Sequence, residues 1–397
     1  MNVIATALLT CSAAPQTAPV LQLVESAPIE TTLDHADIPN AAQVWPEMIA
    51  GAAKELCFAE FYASDKPGST LASTLKAIES ATTRGVHVRF LLDQRFAQTY
   101  PEIPALLRAY ASTEVRFFDM KPLTGGVLHA KYFVVDAREA YLGSQNFDWR
   151  SLEHIQELGV RITSPALAAE LQKTFELDWQ LADPARTKTE RVQAAERDEH
   201  VSAGAALAGP GPWLVSSPRD LLASGAQWDL PQLVRLVDGA REHVRVQLLT
   251  YKMVTRDAGY WDPLEAALRR AAARGVKVEL LVADWCKRKG TIEGLQSLEP
   301  LENVSVKLVT IPQWSGGFVP FARVVHAKYL VVDGARAWIG TSNWERDYFY
   351  ASRNVGLVVE DTSFAGQLER FFASGWSSAY ATPVDPCATY TAPKIGD

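Results

Sequence analysis

The sequence has few of the residues that build metal clusters and disulfide frameworks. It contains four cysteines in 397 residues, at positions 11, 57, 286 and 387, with no CxxC or similar spacing. This scatter predicts neither a zinc site nor a set of disulfide bonds. Cys57 lies within an apolar run, which is typical of a small buried side chain.

Long apolar runs and an excess of basic residues are also missing. No run reaches the roughly 18 apolar residues that a membrane-spanning helix needs. The formal net charge of −7 argues against a protein that coats nucleic acid with a broad basic surface, but not against a local basic pocket. With 48% hydrophobic and 21% charged residues, the composition is that of a soluble globular protein with a substantial core.

The first basic residue is Lys54, so residues 1–19 lack the positive segment that begins a signal peptide. Their apolar stretch followed by small residues still resembles a signal segment, and the run from Leu8 to Cys11 resembles an imperfect lipidation box. We therefore predict export or association with the cell envelope. The alternative is a cytoplasmic protein with an N-terminal tail.

The chain contains an internal duplication. The word "HAKYFVVD" from His129 recurs as "HAKYLVVD" from His326, an offset of 197 residues, and "AYLGSQNFD" lies opposite "AWIGTSNWE" at the same offset. Upstream, "LKAIESATTRGVHVRFLLD" resembles "LEAALRRAAARGVKVELLVAD". Because this period is far longer than that of solenoids or propellers, it indicates a duplicated domain.

In both halves, strand-like runs alternate with helical stretches such as Thr70–Thr83 and Pro263–Arg274. This alternation predicts an α/β fold of two pseudo-symmetric lobes, each a mostly β sheet flanked by helices, with the active site between them. The predicted segments are an N-terminal tail or signal segment (1–19), a first lobe (20–183), a linker (184–210), a second lobe (211–382) and a surface tail (383–397).

Each copy of the repeated word brings an imidazole and an ammonium group together. Alternate residues of a strand face the same side, so His129 shares a face with Lys131, and His326 with Lys328. Asp136 and Asp333 have the opposite parity, which favours a turn or a supporting salt bridge over a chemical role. The neutral hydrogen-bonding residues that follow a glycine in both halves are Ser144, Asn146, Thr341 and Asn343. Glycine permits close approach of the backbone to a ligand.

Two such half-sites, placed face to face, supply what cleavage of a phosphodiester needs. Two lysines and two asparagines can neutralise the phosphate. Because imidazole titrates near neutral pH, one histidine can attack phosphorus and the other can protonate the leaving alkoxide. No carboxylate cluster accompanies these residues, so a metal site is not predicted.

The motif H-x-K-x4-D followed by G-[ST]-x-N, present twice, resembles the phospholipase D superfamily. The segments "LVESAP", "DMKPLTGGVLHAKYFVVD", "FDWRSLEHIQELGV" and "IGTSNW" resemble the branch that contains the lysosomal 5′-exonucleases. The resemblance covers roughly Leu21 to Tyr380. It implies a phosphohistidine mechanism without metal or other cofactor, in which His129 is the nucleophile and His326 the general acid.

The same resemblance implies a glutamate that orients a histidine. Glu157 fits this role in the first half, whereas the second half has Asn354 at the equivalent position, which we expect to weaken the charge support of His326. The implied substrate is single-stranded DNA or RNA trimmed from the 5′ end. The alternative is a phospholipase D or transphosphatidylase acting on phospholipids, and a third hypothesis is a binding protein with a degenerate site.

Other aromatic and histidine residues are open to simpler interpretations. Six aromatic residues near predicted strand ends could stack on bases, contact acyl chains or pack in the core: Trp285, Trp314, Phe318, Phe321, Trp344 and Tyr348. The five histidines without a matching counterpart are interpreted as ordinary surface or core residues: His35, His87, His154, His200 and His243.

Overall fold

The computed structural model describes residues 18–186, 189–190, 207 and 211–396. The predicted signal segment therefore lies almost entirely, and the predicted linker largely, outside the described residues. Within the described ranges, no helix is both long and apolar enough to cross a membrane.

The predicted α/β fold is confirmed. The strands are β1 Val20–Ser26, β2 Glu55–Glu60, β3 Ala63–Ser64, β4 His87–Asp93, β5 Thr113–Phe118, β6 Tyr132–Val135, β7 Glu139–Gly143, β8 Phe147–Asp148, β9 Glu157–Thr163, β10 Trp213–Ser217, β11 Gln227–Trp228, β12 His243–Leu248, β13 Tyr251–Lys252, β14 Lys277–Ala283, β15 Val304–Val309, β16 Tyr329–Val332, β17 Arg336–Gly340, β18 Trp344–Glu345, β19 Asn354–Glu360 and β20 Ala381–Pro383. The helices are α1 Ala41–Ala50, α2 Leu71–Thr83, α3 Glu102–Ala109, α4 Lys121–Thr124, α5 Trp149–Glu153, α6 Pro165–Leu181, α7 Asp229–Asp238, α8 Pro263–Ala273, α9 Ile292–Leu298, α10 Arg346–Tyr350 and α11 Thr362–Ser377. Short 3-10 turns span Gln94–Phe96, Arg219–Leu221 and Asp284–Lys287.

Two large sheets carry the duplication. Within the described ranges, the first has the order β1-β9-β7-β6-β2-β4-β5 and the second β11-β10-β19-β17-β16-β12-β14-β15-β20. The run β9-β7-β6-β2-β4-β5 of the first sheet corresponds strand by strand to β19-β17-β16-β12-β14-β15 of the second. Each half of the sequence therefore builds one sheet-rich lobe.

Both faces of each sheet are buried, which explains the continuous apolar runs in the sequence. In β2, Leu56 and Phe58 pack on the outer side with α1 and α2, while Cys57 and Ala59 face a different core that includes α6. That second core also contains residues of β16, β17, β19 and α11 from the other lobe. The two lobes therefore share one apolar core, and the ends of β6 and β16 meet across it.

The segment predicted as a surface tail is anchored to the second lobe at its start. A surface tail was predicted from residue 383, but Pro383 ends β20 and Val384 is 3% exposed. The side-chain amide of Gln296 donates to the carbonyls of Asp385 and Ala388 at 3.0 and 2.9 Å. An added edge strand and an apolar anchor thus hold this segment against the second lobe.

Candidate active site

The two histidines are held by backbone hydrogen bonds that cross between the lobes. His129 and His326 lie just before β6 and β16, in extended segments. The His129 N–H donates to the carbonyl of Arg353 at 2.9 Å, and the His326 N–H donates to the carbonyl of Gln156 at 2.8 Å. Gln156 and Arg353 are equivalent positions of the repeat, so the pseudo-twofold axis passes between the histidines.

The side-chain partners of the histidines cross between the lobes as well, and this corrects the sequence-based expectation. His326 Nδ1 lies 2.7 Å from Glu157 Oε2, and His129 Nδ1 lies 2.9 Å from Asn354 Oδ1. The expectation that the asparagine weakens the charge support of His326 is wrong. Because β9 and β19 begin at the lobe interface, each places its first residue against the opposite histidine. The carboxylate therefore supports His326, and it is His129 that has a neutral partner.

The amide of Asn354 fixes the tautomer of His129. Its Nδ2 donates to the carbonyls of Tyr348 and Ser352 at 2.8 and 3.2 Å, and its Oδ1 accepts from Thr341 Oγ1 at 2.9 Å. Since Oδ1 is the end that faces the imidazole, His129 Nδ1 must donate a proton to it. The other ring nitrogen, Nε2, then carries a lone pair in the neutral ring.

A fully buried ion pair fixes the segment that holds His129. Arg353 Nη2 lies 2.7 Å from Asp178 Oδ1, Arg353 Nε lies 2.8 Å from Asp178 Oδ2, and neither side chain is exposed. Arg353 Nη1 also donates to the carbonyl of Ser217 at 3.0 Å. This bidentate contact positions the Arg353 carbonyl that receives the His129 N–H. The pair is not apparent in the sequence, because Asp178 and Arg353 are 175 residues apart and no local pattern relates them.

Both lysines of the repeated motif are buried beside the histidines. Lys131 is 1% exposed and Lys328 is fully buried, and each Nζ donates to the carbonyl of the histidine two residues before it. Burial lowers the pKa of Lys131 to about 7 and also lowers the pKa of Lys328. Negative charges oppose this effect, led by Glu60 at Lys131 and by Glu157 at Lys328.

Burial also sets the protonation of the imidazoles. It lowers the pKa of His129 and of His326 well below 6.5, and the charges of the two lysines act in the same direction. Burial raises the pKa of Glu157 to about 8. With no phosphate bound, both imidazoles are therefore neutral near pH 7. The proton of the Glu157 carboxyl group then lies in the hydrogen bond to His326 Nδ1.

The two aspartates of the motif lie at the far ends of β6 and β16. Asp136 and Asp333 have φ angles of 52° and 53° in the turns that follow these strands, as the predicted turn requires. Asp136 accepts the backbone N–H groups of residues 53–55 at 2.8 to 2.9 Å, and Asp333 accepts those of residues 241–243 at 2.8 to 3.2 Å. Five residue steps along an extended chain separate each from its lysine, about 16 Å at 3.3 Å per residue. They anchor loops and do not reach the histidines.

The predicted phosphate-binding hydroxyls are occupied by the protein. Ser144 Oγ accepts from the Leu158 N–H at 3.0 Å, and Thr341 Oγ1 accepts from the Val355 N–H at 3.1 Å. Gly143 does not face a ligand either, because a Cβ there would lie 2.7 Å from the Cα of Gly159. The hydroxyls and the glycine instead allow neighbouring strands to pack closely behind the histidines.

The two asparagines remain close to the site. Asn146 is 6% exposed, and its Oδ1 has no hydrogen-bond partner among the described residues. Asn343 is 1% exposed, and its Oδ1 accepts the Thr250 N–H at 3.2 Å. Exchange of the amide oxygen and nitrogen of Asn146 would turn a donor towards the unpaired position.

A cavity of about 270 Å³ opens at His129. The ring of His129 lies 4.9 Å from that of Phe61 and 4.8 Å from that of Tyr348, measured between centroids. Four cations and two carboxylates line the cavity: Arg95, Lys252, Arg256, Arg346, Glu345 and Asp347. The excess of positive charge is notable because the whole chain carries a net charge of −7.

The predicted aromatic residues separate into several environments. Tyr348 contacts His129 and lines the cavity, whereas Trp344 is fully buried in the core of the second lobe. Trp285 and Trp314 pack partly buried against the shared core, and Phe318 and Phe321 are 38% and 50% exposed. Phe61 was missed because no equivalent aromatic residue exists in the second half to reveal it.

Among residues 18–186 and 211–396, no group of three or more histidine, cysteine or acidic side chains is arranged to hold a metal ion. Of the five histidines interpreted as ordinary, His154 is buried with a pKa lowered by burial to about 4, and His35 lies 2.9 Å from Glu25. His200 lies outside the described residues.

One protein-family model matches most of both lobes. The model described as cardiolipin synthase, PLD-like domain, matches residues 46–179 and 233–376. The chain belongs to the phospholipase D superfamily. The family match covers both repeated motifs, so each lobe is one copy of the domain.

Curated relatives of this superfamily member align along nearly the whole chain. The 5′-3′ exonuclease PLD4 of Mus musculus is 33% identical over 92% of this chain and 80% of its own length. The human 5′-3′ exonuclease PLD3 is also 33% identical, over 94% and 83%. Phospholipase D Z of Dictyostelium discoideum is 30% identical over 92% and 90%.

Among solved structures, the phosphatidylserine synthase of Haemophilus influenzae has a TM-score of 0.63 and 15% identity, covering 86% of this chain and 85% of its own. The polyphosphate kinase of Porphyromonas gingivalis has a TM-score of 0.58 and 14% identity, covering 92% of this chain and 48% of its own. At these identities the likeness concerns the fold alone, and it confirms the two-lobed architecture.

Proposed function

We propose that this phosphodiesterase removes nucleotides from the 5′ end of single-stranded DNA or RNA through a phosphohistidine intermediate. The observation that carries the chemistry is the crossed pairing of the two histidines. One faces an amide that holds its Nε2 unprotonated, and the other faces a carboxylate with which it shares a proton. This is the difference that a nucleophile and a general acid require.

In the first step, His129 Nε2 attacks phosphorus and a P–N bond forms. The bond from phosphorus to the leaving oxygen breaks, and the alkoxide takes the proton from His326 Nε2. As that proton leaves, Glu157 can return its own proton to Nδ1, 2.7 Å away. The two lysine ammonium groups and the amides of Asn146 and Asn343 neutralise the phosphoryl oxygens.

In the second step, water attacks the phosphohistidine on the side from which the alcohol left. His326 Nε2 accepts a proton from this water, the P–N bond breaks, and a phosphomonoester leaves with His129 restored. If an alcohol replaces water here, the same residues carry out transfer, which is the chemistry of the alternative transphosphatidylase.

The walls of the cavity favour nucleic acid over phospholipid. Lys252 and Arg95 line it beside His129 and can bind phosphates next to the scissile one, while Phe61 offers a ring on which a base can stack. Val254 is the one lining residue among the exposed large apolar side chains of the described chain, at 38% exposure. The names of the PLD3 and PLD4 relatives point to the same substrate, whereas that of phospholipase D Z points to lipid.

The experiment is a side-by-side assay of labelled single-stranded DNA, the same strand in a duplex, and phosphatidylcholine vesicles. We expect mononucleotides from the 5′ end of the single strand and slower cleavage of the duplex, because a narrow cleft admits an unstacked end but not a stiff helix. Lys252→Ala should weaken cleavage of the strand and leave that of bis(p-nitrophenyl) phosphate unchanged, since the small diester has no second phosphate for Lys252 to bind.

Release of choline from the vesicles, with no nucleotide released from DNA or RNA between pH 5 and pH 8, would establish the phospholipase alternative. Binding of DNA without any cleavage, by folded protein, would favour the degenerate binding protein. A steep salt dependence of binding would also count against the proposal, because a terminal subsite engages few phosphates.

The activity should survive chelation. Two lysines and two asparagines stand where a metal ion would otherwise neutralise the phosphate. We expect initial rates on bis(p-nitrophenyl) phosphate with EDTA to equal those without it. Complete loss of turnover that one divalent metal restores would contradict the mechanism, and a protein exposed to EDTA and then dialysed controls for slow inactivation.

A further inference from the structure

A buried carboxylate that the steps above do not use lies opposite one of the two lysines. Glu60 ends β2, is 2% exposed, and its Oε2 has no hydrogen-bond partner among the described residues. β2 pairs antiparallel with β6, with Ala59 opposite Tyr132. One further step along this register places Glu60 opposite Lys131.

The two side chains also share a face of the sheet. Two residues before Glu60, the ring of Phe58 lies 5.2 Å from that of Phe133, its partner in the same register. Because side chains alternate along a strand, Glu60 and Lys131 lie on this face as well. Directly opposite residues of an antiparallel pair have Cβ atoms about 4.5 to 5.5 Å apart. The two side chains therefore leave the sheet side by side in a site from which water is largely excluded. Among the described residues no ion pair of 4 Å or less joins them, so their charges act on each other over a longer distance.

The second lobe has no carboxylate at the equivalent place. In its register Val246 lies opposite Leu330, and the same continuation puts Leu248 opposite Lys328. Lys328 has Glu157 as its counter-charge instead. Pseudo-symmetry would place a second such carboxylate at position 354, but that residue is an asparagine.

The structure assigns to Glu60 the role of a positioning residue that keeps Lys131 charged for the phosphate, in place of the carboxylate missing at position 354. Each lysine then has one principal buried carboxylate: Glu157 from the opposite lobe for Lys328, and Glu60 from its own lobe for Lys131. Glu157 and Asp93 act on Lys131 as well, but less strongly than Glu60. This inference rests on the phosphodiesterase chemistry proposed above, but not on nucleic acid being the substrate.

The counter-charge matters most before substrate binds. Burial raises the pKa of Glu60 and lowers that of Lys131 to about 7, and each charge partly offsets the burial of the other. Once a phosphodiester is bound, its own negative charge holds the proton on Lys131. Loss of Glu60 should therefore lower kcat/KM, which reports on the free enzyme, and spare the single-turnover rate of the saturated enzyme.

The test is the pH profile of kcat/KM for bis(p-nitrophenyl) phosphate. This small diester tests the phosphodiesterase chemistry alone, so the result does not depend on whether nucleic acid is the natural substrate. Glu60→Gln keeps the size of the side chain and removes its charge. We expect the alkaline limb to move down by about one pH unit. At pH values above the limb this lowers kcat/KM about tenfold. Glu55→Gln on the same strand, where Glu55 pairs with Arg89 at 2.8 Å, is the matched control and should leave the limb in place.

If Glu60→Gln fails to fold, Glu60→Leu provides the same test without leaving a polar group buried. Leucine is the residue that the second lobe has at this position. Adding Asn354→Asp to Glu60→Gln should move the limb back up, because it returns a carboxylate to the site. If the alkaline limb of kcat/KM lies at the wild-type pH in a folded Glu60→Gln or Glu60→Leu protein, the inference is overturned. An equal loss in kcat/KM at all pH values, with no shift of the limb, would assign Glu60 a packing role.

Discussion

His129→Ala should abolish cleavage of every phosphodiester, whereas His326→Ala should still release p-nitrophenol from bis(p-nitrophenyl) phosphate. Without His129 no P–N bond can form. Without His326 an alkoxide leaves unprotonated, and the first step should slow by about 10² to 10⁴, the usual contribution of a general acid. A p-nitrophenolate needs no proton, so its release should proceed in a burst close to the wild-type rate. The covalent intermediate should then accumulate, because no base activates the water.

Rapid quench of the two variants with a phosphorus-labelled diester measures this directly. Acid-labile label should appear on His129 in His326→Ala and nowhere in His129→Ala. His87→Ala, a half-exposed histidine paired with Glu114 at 3.1 Å, is the control that should behave as wild type. Label on His326 in His129→Ala, with none on His129 in the converse variant, would reverse the two roles.

The repeat predicted most of this site because its chemistry is symmetric. Two copies of nearly the same eight residues placed two histidines and two lysines at the lobe interface. The expected alternation is observed within β6, where Phe133 and Val135 pack on one face and Tyr132 and Val134 on the other. Local pattern also found the turns at Asp136 and Asp333. These features depend on residues close in sequence, where periodicity is informative.

What the sequence could not predict are the contacts that break the symmetry. Glu157 was assigned to the histidine of its own half, because pattern relates residues along a chain and not across an interface. Asp178 and Arg353 are 175 residues apart and meet only when the lobes dock. Glu60 has an apolar counterpart, Leu248, so the comparison of halves that revealed the lysines could not reveal it. The hydroxyls of Ser144 and Thr341 were expected at the phosphate because the sequence does not show that β9 and β19 pass directly behind them.

Glu157→Gln should shift the alkaline limb of the first chemical step to lower pH. In the wild type, the proton used by the leaving group is held by the Glu157–His326 pair, where burial raises the pKa of Glu157 to about 8. Without the carboxylate, His326 alone must hold it, and burial lowers its pKa well below 6.5. An acid is active below its pKa and inactive above it, so activity should be lost at a pH more than one unit lower than in the wild type. At pH 8 this amounts to a loss of at least about tenfold.

The measurement is the single-turnover rate of an oligonucleotide at saturating enzyme across pH 4 to 9, because this rate isolates the first step from hydrolysis of the intermediate. Asn354→Asp is the matched variant on the other histidine. A carboxylate on Nδ1 raises the pKa of His129, which must be neutral to attack, so the acid limb should move up and the alkaline limb should stay in place. With p-nitrophenyl leaving groups the Glu157→Gln shift should disappear, since no proton is needed. An alkaline limb that stays in place in Glu157→Gln, together with one that moves up in Asn354→Asp, would mean that His129 and not His326 delivers the proton.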